Sequence, residues 1–114
     1  MKNDVLNDGW ALIYKEKPKK TDFSAKENVK GVSDMEYICR LAYKEKSRRQ
    51  QDVEFAERQD RSLSLKLECW EDRRIQRNFK VLIKNIIYDV IYVDFSRSEK
   101  KMFLYLEEVR KNAN

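Results

Sequence analysis

The chain has 114 residues, enough for one domain with one modest core. Charged residues make up 39% and hydrophobic residues 41%, and the apolar residues are grouped, which favours a small, highly solvated globule over a disordered chain. Net charge is +5, but 20 acidic residues stand against 25 basic ones, so composition alone does not argue for nucleic-acid binding. Histidine is absent, which removes His-based triads and His-containing zinc sites, and two glycines leave no phosphate-cradling loop. No apolar run is long enough to span a bilayer, and the N-terminus has no signal-peptide pattern.

In chain order, residues 1–8 are polar and expected to fray. Residues 9–15 read as a first strand, with Trp10, Leu12 and Tyr14 on one face. Residues 16–28 carry the only proline, Pro18, and read as a long exposed loop. Residues 33–46 fit two patterns. Ser33 followed by Glu36 suits a capping box, with Met35, Ile38, Cys39 and Ala42 at helical spacing. Tyr37, Cys39, Leu41 and Tyr43 alternate as in a strand, which two tyrosines and an isoleucine favour slightly.

Residues 47–59 predict a short helix, with Ser47 and Gln50 as N-cap and its partner three residues on. Its amphipathic pattern is weak, because Phe55 points away from Val53 and Ala56. Residues 62–69 alternate strictly. Leu63, Leu65, Leu67 and Cys69 fall on a buried face, and Ser64, Lys66 and Glu68 on a wet one. Residues 70–78 form a loop tucked down by Ile75. Residues 79–83 and 86–93 are rich in β-branched and aromatic residues, and the two-residue link Lys84-Asn85 makes them an antiparallel hairpin. A polar turn over 96–101 leads to a last strand over 102–106. Short strands with turn signals between them read as an all-β sandwich or barrel. Cys39 and Cys69 make no disulfide framework and are expected to be small, reduced, buried residues.

The order of these elements resembles the head–tail joining, or head-closure, proteins of tailed bacteriophages. The likeness runs from Tyr37 to Val109. It comprises the 49–58 segment with its single Ala56, the alternating 62–67 strand, the Ile75 loop, and a strand–tight turn–Tyr-x-aliphatic hairpin ending in Tyr88-Asp89-Val90-Ile91. Three places depart from that pattern, one being the loop after Trp70, which usually has Pro or Gly and here has neither. Cys69-Trp70-Glu71 stands where such proteins often have an Arg beside an aromatic residue, and Asn85 stands where Gly is common.

The resemblance implies an all-β domain with a short helix, spanning residues 1–114. Its fold would be a small antiparallel β-barrel of about six strands, with a long loop after strand 1 and a helix or loop between strands 2 and 3. It also settles residues 33–46 as a strand. By function it implies a structural virion-assembly protein that joins the portal, or connector, to the tail and helps close the capsid after DNA packaging. The expected partners are the portal or adaptor ring, tail proteins, and further copies of the chain in a ring formed on the portal, the isolated chain being a monomer. Its place would be the virion, and the host cytoplasm during assembly. No enzyme activity, catalytic residue, cofactor, metal or membrane is expected. Candidate partner-binding residues are Arg48, Arg49, Asp52, Glu54, Glu57 and Arg58. Lys15, Lys17, Lys19 and Lys20 are candidates to face packaged DNA. The alternative is a small basic β-barrel module for single-stranded nucleic acid, with Trp70, Tyr88, Tyr92 and Tyr105 stacking on bases beside Arg73, Arg74 and Arg77.

Overall fold

A computed structural model describes residues 6–17 and 35–112. Six strands and one helix follow one another as β1 (Gly9–Glu16), β2 (Met35–Lys46), α1 (Gln50–Glu57), β3 (Leu65–Trp70), β4 (Lys80–Ile83), β5 (Ile86–Ser96) and β6 (Lys101–Lys111). Every strand pairing is antiparallel. The ambiguous 33–46 stretch is strand over Met35–Lys46, where β-branched and aromatic side chains outweigh the helical spacing. Ser33, with the capping-box reading that depends on it, lies outside the described residues, as do Pro18, Lys19 and Lys20.

The Lys84-Asn85 link makes the predicted hairpin. Both residues have positive φ, 50° and 67°, as the right-handed twist of the flanking strands requires of a two-residue turn. β6 continues to Lys111, and the Asn112 N–H donates to the Asn85 carbonyl at 2.9 Å.

Hydrogen bonding follows the cyclic order β1-β2-β3-β6-β5-β4, with Leu12–Leu82, Ile13–Val81 and Tyr14–Lys80 returning β4 to β1. The strands thus return on themselves as a closed antiparallel barrel, but its pairing is uneven. Here β4 has four residues, β2 meets β3 only over Tyr43–Lys46, and beyond Val90 β5 has β6 as its one strand partner. The turn chemistry explains the mismatch. Positive φ at Asn78 and at Lys84 confines β4 to a short span, while the apolar patterns of β5 and β6 run on past it. The result is an unevenly paired barrel whose gaps are covered by other segments. The 71–79 loop covers one of them. Its Ile75 is 2% exposed in the main core, and the Asn78 N–H donates to Val90 O at 2.8 Å.

The main core is built from alternate residues of every strand, including Ala11, Ile13, Leu67, Cys69, Val81, Val90, Leu104 and Leu106. In β1 the small Ala11 and Ile13 point inward, and the face bearing Trp10, Leu12 and Tyr14 points outward. A second, smaller core of Ala56, Leu63, Ile91 and Tyr105, flanked by Val53 and Phe103, lies between α1 and the outer face of the sheet. Leu63 therefore belongs to the connection after α1 and not to β3, which starts at Leu65. Both cysteines are free, with Cys69 fully buried and Cys39 half-buried.

Asn-Gly fits a turn with two left-handed residues better than Lys-Asn does. The double substitution Lys84→Asn and Asn85→Gly should raise stability, read as a higher urea midpoint in denaturation. A loss of stability would mean that the turn is held by something other than its φ angles.

Candidate partner-binding site on helix α1

The helix starts later than the sequence predicts, and its N-cap is Arg49, not Ser47. The reason lies three residues on. The Asp52 carboxylate reaches back to accept the Arg49 backbone N–H at 3.1 Å, which is one half of a capping box. The other half is missing, because a guanidinium has no acceptor to offer the helix N–H groups. Instead Arg49 forks onto Asp52 from Nε at 3.2 Å and Nη2 at 3.0 Å.

Asp52 is 3% exposed and receives two further bonds from the sheet beneath it. Lys66 Nζ on β3 donates at 3.0 Å and the Tyr105 hydroxyl on β6 at 3.0 Å. Burial by itself pushes this carboxyl up. The bonds from the Arg49 guanidinium, from Lys66, from the Arg49 backbone and from Tyr105 outweigh burial and hold it well below the usual carboxylate range. The Tyr105 hydroxyl goes the other way, pushed up to about 12 by burial and then by the Asp52 charge that it serves. Aromatic contacts complete the seat. Phe55 meets Tyr92 and Tyr105 at centroid distances of 4.8 and 6.3 Å, and Tyr92 meets Tyr105 edge-on at 5.4 Å.

The outer side of β3, expected to be wet, is thus largely buried. Lys66 lies under α1. Glu68, 9% exposed, pairs with Lys101 at 3.4 Å and with Lys46 at 3.8 Å. Lys101 is 2% exposed, with the Trp70 ring over its ammonium at 5.2 Å. No buried side-chain polar atom lacks a partner among the described residues. Past the C-terminal end of α1, Arg61 donates to Asp89 at 2.9 Å and also holds Glu107, while the Ser64 N–H bonds to Leu106 O at 2.8 Å. The helix is therefore tied to β3 and β6 at its N-terminal end and to β5 and β6 just past its C-terminal end.

This placement divides the six residues predicted to meet partners. Asp52 is corrected from a surface residue to the buried anchor of the helix. Arg49 is exposed but committed to Asp52, and Arg48 donates from Nη1 to Leu63 O at 3.2 Å. Glu54, Glu57 and Arg58 are exposed on the outward side, Glu54 accepting a bond from Gln50 at 3.1 Å. Beside the N-terminal end of α1 lies an open groove of about 600 Å³, lined among others by Lys44, Lys46, Arg49, Lys66, Asp94 and Phe103. Of the lysines proposed to face DNA, Lys15 stands 3.9 Å from Glu36 and Lys17 is exposed. Of the four rings proposed for base stacking, Tyr88 and Tyr105 are buried and unavailable, while Trp70 is 52% exposed. Sequence reasoning missed the buried roles of Lys66 and Glu68, since a charged residue at every second strand position ordinarily marks the solvent side; Lys101, read as part of a polar turn, and Tyr105, read as a ring for base stacking, are buried as well. Among the described residues no cluster of Cys, Asp or Glu is placed to hold a metal ion.

No protein-family model matches the chain, and no curated protein matches it.

Removing one partner of a buried ion pair leaves the other charge uncompensated. Asp52→Asn should therefore destabilise the fold by about 3 kcal/mol in denaturant titration. A carboxyl whose folded pKa lies below its unfolded value stabilises the protein above the unfolded value of about 4, and that contribution fades as pH falls through the folded pKa. The wild-type thermal midpoint should drop below about pH 4, and the Asp52→Asn midpoint should drop less over the same range. Parallel pH profiles would show that Asp52 does not carry the acid sensitivity.

Proposed function

We propose that the chain is a structural virion-assembly protein of a tailed phage, joining the portal to the tail and helping to close the capsid after DNA packaging. The observation that carries this reading is the division of α1 into two sides. Its inner side is locked to the sheet by Asp52 and Phe55, and its outer side offers Glu54, Glu57 and Arg58 to solvent. A short helix that is fixed in orientation and charged outward suits a docking element more than a flexible connection. The order of elements, which resembles that of head–tail joining proteins, supports the same reading.

Ring assembly on a portal would suit such a surface. Exposed ion pairs are worth only about 0–1 kcal/mol each. Repeated around a closed ring, they set register and add up through multivalency without any one contact being strong. The three outward residues are the ones to test, because Arg49 and Asp52 also hold the fold.

Portal-bearing, DNA-filled heads that lack a tail should bind the purified chain in co-sedimentation. The variant Glu54→Lys, Glu57→Lys, Arg58→Glu should bind at least about tenfold more weakly, with stability within roughly 0.5 kcal/mol of wild type. Undiminished binding by that variant would remove α1 as the docking element. Failure of the wild type to bind would remove the assembly role.

A further inference from the structure

We infer that the pole formed by the 71–78 loop and the 97–100 turn is a docking surface for the phosphate backbone of duplex nucleic acid. The start of the loop lies against the turn, since the Glu71 N–H donates to Lys100 O at 2.9 Å, and its other end lies farther along β5, where the Asn78 N–H donates to Val90 O at 2.8 Å. Together the loop and the turn carry Arg73, Arg74, Arg77, Arg97 and Lys100 against Glu71, Asp72 and Glu99.

The acidic side chains do not cancel the basic ones evenly. Glu71 and Asp72 are 25% and 16% exposed and lie beneath Arg73 and Arg74, whose side chains remain 64% and 62% exposed. Arg74 grips Asp72 in a fork, from Nε at 3.0 Å and Nη2 at 2.8 Å. Arg73 pairs with Glu71 and lies flat over the Phe95 ring at 4.0 Å. These two guanidinium groups are thus held in place with their outer edges open. Arg77 donates to the neutral Gln59 amide at 3.4 Å, and among the described residues Arg77, Arg97 and Lys100 have no ion-pair partner. The surplus is cationic, rich in arginine and on turns, and it is flanked by the exposed Trp70. Arginine presents a planar fork of donors that matches phosphate oxygens. Nothing in this arrangement reads bases, so the contact is independent of sequence.

The inference does not depend on the assembly role, because it concerns contact by the free chain. It also differs from the lysine-rich segment after β1 as the place where DNA is met. Anisotropy of a fluorescein-labelled DNA duplex of arbitrary sequence tests it on the full chain. Three neutralised phosphates predict a log–log salt slope of about −2.7, hence a loss of roughly 40-fold in affinity between about 50 and about 200 mM salt. The variant Arg77→Glu, Arg97→Glu, Lys100→Asn should lower affinity at least about tenfold at about 50 mM salt and flatten the slope by about 2–3. Asn is chosen because Lys100 has a φ of 56°, which Asn tolerates, and an unchanged thermal midpoint confirms the fold.

Two control variants keep the result specific. Lys84→Glu, Arg110→Glu, Lys111→Glu reverses three cations on the hairpin and the end of β6, and Lys17→Glu, Lys19→Glu, Lys20→Glu reverses those after β1. Both should retain most of the affinity. An equal loss in either control, no loss in the pole variant, or wild-type binding that does not respond to salt would each overturn the proposal.

Discussion

One carboxylate organises this molecule. Asp52 sits in the first turn of the only helix among the described residues, 3% exposed, and takes hydrogen bonds from its own N-cap, from β3 and from β6. Moving a charge out of water costs several kcal/mol, so it persists only where its lone pairs are filled. Here Arg49, Lys66 and Tyr105 fill them, and each arrives from a different part of the chain. The helix therefore cannot rotate or slide on the sheet without stranding a buried charge. A purely apolar seat of Ala56, Val53 and Phe55 would tolerate several orientations. The ionic bonds select one.

That constraint propagates outward. With the inner side of α1 fixed, Glu54, Glu57 and Arg58 are fixed on the outside as well. The outer face of the sheet is also divided. Under the helix it is a closed polar–aromatic seat. Beyond the helix, Lys46, Asp94 and Phe103 line an open groove, while Glu68 pairs with Lys101 and Lys101 lies against the Trp70 ring. The chain thus separates the residues that hold it together from those available to partners, although both sets are charged and lie side by side in the sequence.

Much of the fold was legible because alternation and turn chemistry are local signals. The Lys84-Asn85 hairpin and the burial of Ile75 follow from residue type and spacing, whereas residues 33–46 fitted two patterns and only slightly favoured the strand that forms over Met35–Lys46. Two features were not legible, for one shared reason. Lys66 and Glu68 alternate with leucines as solvent-facing residues do, and Asp52 lies in a run of charges like any exposed helix. Only tertiary packing, with α1 lying over β3 and β6, turns that polar face into an interior. The uneven closure of the sheet was hidden for a related reason. Strand length depends on where partners stop, and β4 stops after four residues although its neighbours continue.

Amide hydrogen exchange on the unmodified chain tests the central constraint most directly. If the Asp52 seat fixes α1, the amides of Val53 and Arg58, bonded to Arg49 O at 3.1 Å and Glu54 O at 3.0 Å, should exchange only through the same opening that exposes β3 and β6. Their protection would then match that of the Leu67 and Leu104 amides to within about tenfold. Fast exchange in α1 while the sheet stays protected would show a helix resting loosely on its support, and would contradict the account.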